Sequence, residues 1–204
     1  MNERLLPLPD PLLPPELDGV CMLVADLVGS TRLARQLPLH QYVSVMSDMV
    51  QLLILHFEAY GAEVLQHQGD AVVCVWPKED ATSAVMAAQH SHSRTRRLRL
   101  AEVLGLTLEL RVGLAVGDVI RVNVGGAPTC YGLPVNLARR LASAAAPGET
   151  LTCPALPVYA PGVALGEREV SNLSGFEELG VVRRVLDTPA LPGLGAASAG
   201  MKTG

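Results

Sequence analysis

The residues Gly19-Val20-Cys21-Met22-Leu23-Val24-Ala25 form an uncharged run that ends at Asp26 and then meets a Gly29-Ser30-Thr31 turn. An apolar stretch this short, closed by turn residues, is the pattern of a buried strand that enters a polar loop. Such a strand sets the problem for the rest of the chain, because other elements must cover and flank it.

The periodicities that follow supply those elements. Tyr42, Met46, Met49, Val50, Leu53 and Phe57 keep helical spacing from residue 42 to 60, with Ser44, Ser47, Asp48 and Gln51 on other faces and Gly61 as the stop. Residues 62–65 and 71–76 read as two strands around Gln66-His67-Gln68-Gly69-Asp70, where Gly69 supplies the unusual φ of a tight turn. Pro77-Lys78-Glu79-Asp80 opens a second helix that runs to about residue 104, with Ala81, Ala84, Val85 and Ala88 on its packing face. Residues 106–116 form another strand, closed by Gly117-Asp118. After Gly125-Gly126, residues 134–145 make a third helix, and residues 175–186 offer a last strand pair. The order β-α-β-β-α-β with later additions predicts an α+β fold on the ferredoxin-like unit, with extra C-terminal strands.

A chain of 204 residues, 49% hydrophobic and 18% charged, suits one folded domain and excludes a disordered polymer. Pro7, Pro9, Pro11, Pro14 and Pro15 make residues 1–18 a proline-rich leader, since proline fixes φ and removes backbone donors. Residues 188–204 lack periodicity and read as a flexible Ala/Gly-rich tail, which leaves 19–187 as the domain. A net charge of −4 and 3% aromatic residues argue against nucleic acid as a partner. No apolar stretch reaches the ~18 residues of a membrane span, and no signal peptide is evident. Cys21, Cys74, Cys130 and Cys153 stand singly without zinc-ligand spacing. A cytoplasmic protein with reduced thiols is the expectation.

Two carboxylates end apolar strands, Asp26 before the Gly29 turn and Asp70 in the hairpin bend. Facing one sheet edge, they can share a hard cation such as Mg²⁺, which takes one or two carboxylates together with substrate phosphates. The loop from Leu27 to Thr31 can then offer backbone N–H groups to those phosphates. On spacing alone a second reading stands beside this one, with Asp26 a helix cap and Asp70 an ordinary turn residue.

Three segments carry a family resemblance. Val24-Ala25-Asp26-Leu27-Val28-Gly29-Ser30-Thr31, then Gln68-Gly69-Asp70-Ala71-Val72, then Gly132-Leu133-Pro134-Val135-Asn136-Leu137-Ala138-Arg139-Arg140-Leu141 resemble, in order, the signatures of the class III nucleotidyl cyclase catalytic domain. The similarity continues through Arg111-Val112-Gly113-Leu114-Ala115-Val116-Gly117 and Leu173-Ser174-Gly175-Phe176-Glu177-Glu178. Each motif alone is weak, and their shared order makes the assignment specific.

The resemblance implies a palm-type cyclase domain that converts ATP, or another nucleoside triphosphate, to the 3′,5′-cyclic monophosphate and pyrophosphate. It implies two divalent ions, Mg²⁺ or Mn²⁺, held by Asp26, Asp70 and the Leu27 backbone. Val28, Gly29, Ser30 and Thr31 fall on the phosphate-binding turn. Asn136 and Arg140 become the catalytic pair that orients the ribose and stabilises charge on the α-phosphoryl group. Helical spacing of i and i+4 puts this pair on one face, and an arginine fork suits phosphoryl oxygens. Arg139, one residue away, is expected to point elsewhere. In the family the metal residues and the Asn/Arg helix come from different subunits, so a homodimer with two shared sites is implied.

Three positions depart from the family pattern. Gln66 and Thr129 stand where adenylate cyclases read the base with Lys and Asp, and Ser174 stands where a phosphate-contacting Lys often precedes the late glycine. A neutral amide can meet more than one base edge. The alternative from another class is a cyclase-like module that binds nucleotide or a partner without turnover. Arg94, Arg96, Arg97 and Arg99 read as a solvated helix end, and His67 as a packing or surface residue turned away from the face of Gln66.

Overall fold

The computed structural model describes residues 17–170 and 173–186. The leader up to residue 16 and the tail 188–204 lie outside the described residues. The uncharged run at the start is strand β1, Asp18–Leu27, with Cys21, Met22, Leu23 and Ala25 fully buried. It lies between two antiparallel neighbours, β3 (Ala71–Pro77) and β4 (Leu110–Val124). Beyond β3 is β2 (Glu63–Gln68). On the other side β4 pairs in parallel with β6 (Thr150–Thr152), followed by β8 (Val181–Val185) and β7 (Leu165–Glu169). Strand β5 (Ala127–Tyr131) folds back on the far end of β4. Among the described residues these make a sheet in the order β2-β3-β1-β4-β6-β8-β7, with β5 off that path.

Helix α1 (Ser30–Gln36) follows β1 directly, and α2 (Leu39–Ala59) is the long amphipathic helix. After a 3₁₀ turn at Lys78–Asp80 come α3 (Ala81–Arg96) and α4 (Arg99–Val103). Later in the chain are α5 (Leu133–Ala144) and the short α6 (Leu156–Tyr159). Strand β3 displays both faces of the sheet. Trp76 meets Phe57 of α2 edge-on, with ring centroids 6.2 Å apart, and its indole N–H donates to the Tyr60 carbonyl at 2.9 Å. Val73, on the opposite face by strand alternation, lines a cleft with α5. The βαββαβ core and its C-terminal additions therefore match the expected class, with α5 as an added covering layer.

Four details differ from the sequence reading. Strand β4 runs straight through Gly117-Asp118 to Val124, because Gly117 is there to admit Pro134: an added Cβ would lie 2.8 Å from the proline Cγ. Its extension is held by Arg121, which bonds to Glu63 and lies 3.4 Å from Asp18. Consequently Gly125-Gly126 is the hinge of a β4–β5 hairpin, both residues at positive φ. The second helix breaks at Leu98, which turns extended and buries its side chain. The last strand has its hairpin partner in β7, whose mostly polar sequence LGERE carries no apolar alternation, while the segment before it makes turns at 174–175 and 177–178.

Packing of α5 on β4 fixes the site's depth. A Cβ at Gly113 would overlap the Ala138 carbonyl oxygen and the Ala142 amide nitrogen, so helix and strand backbones touch here only because the residue is glycine. All four cysteines are free and buried.

Candidate active site

The end of β1 brings Asp26 opposite Ala71 of β3 and Arg111 of β4. Arg111 Nη2 donates to Asp26 Oδ2 at 2.6 Å, with both side chains about a third exposed at most (31% and 27%). Burial lifts the Asp26 carboxyl above the ordinary carboxylate range, the hydrogen bond from Arg111 pulls it back, and the charge of Asp70 pushes it up again. Asp70 is thus within electrostatic reach. Its position follows from the β2–β3 turn, where Gly69 adopts φ 61°.

Leu27 is buried to 1% exposure, which leaves only its backbone to a site. Among the described residues no group of three or more His, Cys, Asp and Glu forms a closed metal cage. Two carboxylates and a backbone carbonyl are hard oxygen donors with coordination positions to spare, which fits Mg²⁺ or Mn²⁺ completed by phosphate oxygens and water.

Two adjoining clefts share Gln66 and Arg139; Asp26 lines the first, and Asp70 lines neither. The first, about 260 Å³, is lined by Asp26, Gln66, Gln68, Arg139 and Ser143, with Val24, Ala71, Val73 and Ala142 as its floor. The second, about 290 Å³, brings together Gln66, Thr129 and Asn136, flanked by Cys130 and Arg139. Residues 63 places apart in sequence, Gln66 and Thr129, therefore share one cavity, as their assignment to a common base-reading role requires. A bulge at Leu65 shifts the β2 register between Val64 and Gln66, so Leu65 and Gln66 both reach this cavity. Gln66 and Gln68 face the first cleft and His67 does not, as alternation predicts.

Helix α5 buries Pro134, Leu137, Ala138, Leu141 and Ala142. Asn136, Arg139 and Arg140 occupy the exposed arc. At ~100° per residue, Arg139 lies ~60° to one side of Asn136 and Arg140 ~40° to the other. Arg139 lines both clefts, whereas Arg140 lines neither. The Val28 amide also departs from the phosphate-donor expectation, since it already donates to the Glu109 carbonyl at 2.8 Å. Gly29, at φ 73°, caps α1 so that the first amides of that helix, around Ser30 and Thr31, have no intrahelical acceptor. Ser174 is exposed in a turn.

Arg111 was not singled out as a site residue by sequence reasoning. In the otherwise uncharged run from Leu110 to Gly117 it was a visible cation, but only the β1–β4 register reveals that it faces Asp26.

A βαββαβ sheet with Asp26 at the end of its central strand, and the polar arc of α5 over the adjoining clefts, has the form of a nucleotidyl-cyclase-type catalytic domain. Solved structures share the fold: the adenylyl cyclase CyaB from P. aeruginosa superposes with a TM-score of 0.80 at 23% identity, covering 87% of this chain and 98% of that one. The guanylyl cyclase Cya2 gives a TM-score of 0.75 at 20% identity, over 87% of this chain and 98% of that one. The chain belongs to the adenylate and guanylate cyclase catalytic domain family, which matches residues 13–155. An uncharacterized protein of Mycobacterium tuberculosis is 29% identical over 167 residues, 81% of this chain and 40% of that protein. The chain thus spans about 40% of the length of that relative. The photoactivated adenylate cyclase subunit beta of Euglena gracilis is 31% identical over 111 residues, 52% of this chain and 13% of that subunit. Among the described residues no helix is long and apolar enough to cross a membrane.

Proposed function

We propose that the domain converts a nucleoside triphosphate, with ATP as first choice, to its 3′,5′-cyclic monophosphate and pyrophosphate. The observation that carries this reading is the cavity in which one protomer brings Gln66, Thr129 and Asn136 together. In the reaction the ribose 3′-oxygen bonds to the α-phosphorus, the bond from that phosphorus to the bridging oxygen breaks, pyrophosphate leaves, and the hydroxyl proton passes to solvent. Asp26, Asp70 and the Leu27 carbonyl hold two divalent ions, which when bound supply Lewis-acid activation of the hydroxyl and charge neutralisation of the leaving group. Gln66 and Thr129 meet the base edge. Asn136 orients the ribose, Arg140 stabilises charge on the α-phosphoryl group, and the amides at Gly29, Ser30 and Thr31 receive phosphate oxygens.

Arg140 lies outside both clefts of a single copy, which supports a homodimer in which each site takes Asp26 and Asp70 from one protomer and Asn136 and Arg140 from its partner. Incubation with Mn²⁺ or Mg²⁺ and each of ATP, GTP, CTP and UTP should give a cyclic product with at least one. Asp26→Ala and Asp70→Ala should abolish metal-dependent turnover and keep the native circular dichroism spectrum. Turnover retained in either variant removes the metal assignment. A second reading, a nucleotide-binding module without turnover, is favoured by the absence of fixed charge at Gln66, Thr129 and Ser174. Nucleotide binding without cyclic product from any of the four triphosphates would select it.

A further inference from the structure

The Asp26 carboxylate already has a cation against it. Strand register sets Arg111 directly across from Asp26, and the Nη2 to Oδ2 distance is 2.6 Å. Only one arm of the guanidinium is used there, although an arginine fork can give a carboxylate two parallel bonds. The Arg111 Nε is buried without a hydrogen-bond partner among the described residues. Nη1 points instead to the Ser143 carbonyl at 3.5 Å, at the outer limit of a hydrogen bond. Ser143 belongs to the last turn of α5, the helix that carries Asn136 and Arg140. The contact with Asp26 is therefore short but single, and the guanidinium has a second acceptor within reach.

From this geometry we infer that Arg111 is a positioning residue that stands on Asp26 in the metal-free domain, holds the carboxylate aimed along the sheet edge, and is displaced when a divalent ion binds. The inference rests on Asp26 being a metal ligand. Charge favours the exchange, since Asp26 and Asp70 together carry two negative charges and a divalent ion neutralises both where one guanidinium cannot. Partial exposure, 31% and 27% for the two side chains, lets solvent screen the pair and keeps it replaceable. Displacement turns the guanidinium toward the Ser143 carbonyl, so occupation of the carboxylates is felt at the C-terminal end of α5.

The test uses the full chain without nucleotide and reads metal binding rather than turnover. Free Mn²⁺ is followed by electron paramagnetic resonance in the wild type, Arg111→Gln and Arg111→Lys. Loss of the competing cation should make Arg111→Gln bind Mn²⁺ about threefold tighter or more. Arg111→Lys should fall between. In an Asp26→Asn background the gain should vanish. A Mg²⁺ titration by nuclear magnetic resonance supplies a second readout: the Arg111 Nε–H signal, identified by its loss in Arg111→Lys, should move with the midpoint of ion binding. Binding no tighter in a natively folded Arg111→Gln, or an Nε–H signal unmoved at saturating Mg²⁺, overturns the placeholder role. Mn²⁺ binding that is indifferent to Asp26→Asn alone overturns the ligand assignment under it, so the two failures are told apart.

Discussion

At the scale of single residues, the departures at Gln66 and Thr129 carry the sharpest consequence. Both line one cavity, with no fixed charge between them. Discrimination is greatest when the wrong ligand strands a buried charge, whereas an unpaired neutral group costs only ~1–3 kcal/mol. The wild type should accordingly show modest preference among triphosphates, and Gln66→Lys with Thr129→Asp should raise the ATP-to-GTP ratio of kcat/KM. Equal ratios in the wild type and the double variant would show that these positions do not contact the base. Asp26 and Asn136, which line the clefts, could be picked out in the sequence because each stands in a short motif whose spacing is local. Arg139 shares the exposed arc of α5 with Asn136 and Arg140, and its reach into both clefts shows only once the buried stripe of Leu137, Ala138, Leu141 and Ala142 orients the helix. The partner of Asp26 was invisible for a different reason. Arg111 lies 85 residues away, and a one-residue slip in register would turn it to the other face.

Among the elements, β1, α2, β3 and α5 could be read from the sequence because each buries one continuous set of side chains, and β2, which buries none fully, from the Gly69 turn that joins it to β3. Strands β5, β6 and β7 could not, since β6 has three residues and β5 and β7 are largely exposed edges. The α5–β4 contact yields a direct prediction. Gly113→Ala places a Cβ against helix backbone that cannot rotate away, and should lower unfolding stability by ~1–3 kcal/mol or more in urea. An unchanged midpoint would mean that α5 is free to lift from the sheet. The α2–α3 contact has a titratable member. His56, 4% exposed, bonds through Nε2 to the Ala87 carbonyl at 2.9 Å. Burial pushes its imidazole below the ordinary value of 6.5, partly opposed by that hydrogen bond, with Arg94 and His90 adding to the depression. The unfolded chain takes up the proton first, so stability is full above about pH 6.5 and falls as the pH drops below it. His56→Gln keeps a donor but cannot titrate. The difference in Tm between about pH 7.5 and about pH 5.5 should shrink in this variant, and an undiminished difference would assign the acid sensitivity elsewhere.

For the molecule as a whole, the shared-site reading makes complementation the decisive measurement. Mixed Asp26→Ala and Arg140→Ala chains, each inactive alone, should recover activity through heterodimers that hold one site with all four residues. No recovery after demonstrated subunit exchange would place the complete site within one protomer. The geometry of the sulfur atoms offers a means to watch that exchange. Cys21, Cys74, Cys130 and Cys153 are all buried, and burial pushes the Cys21, Cys74 and Cys130 thiols up, away from the reactive thiolate. The described part of the chain is thus chemically quiet toward maleimides at neutral pH. A cysteine introduced at exposed Val103, at the end of α4, becomes a selective attachment point for a dye or spin label in an otherwise unaltered background.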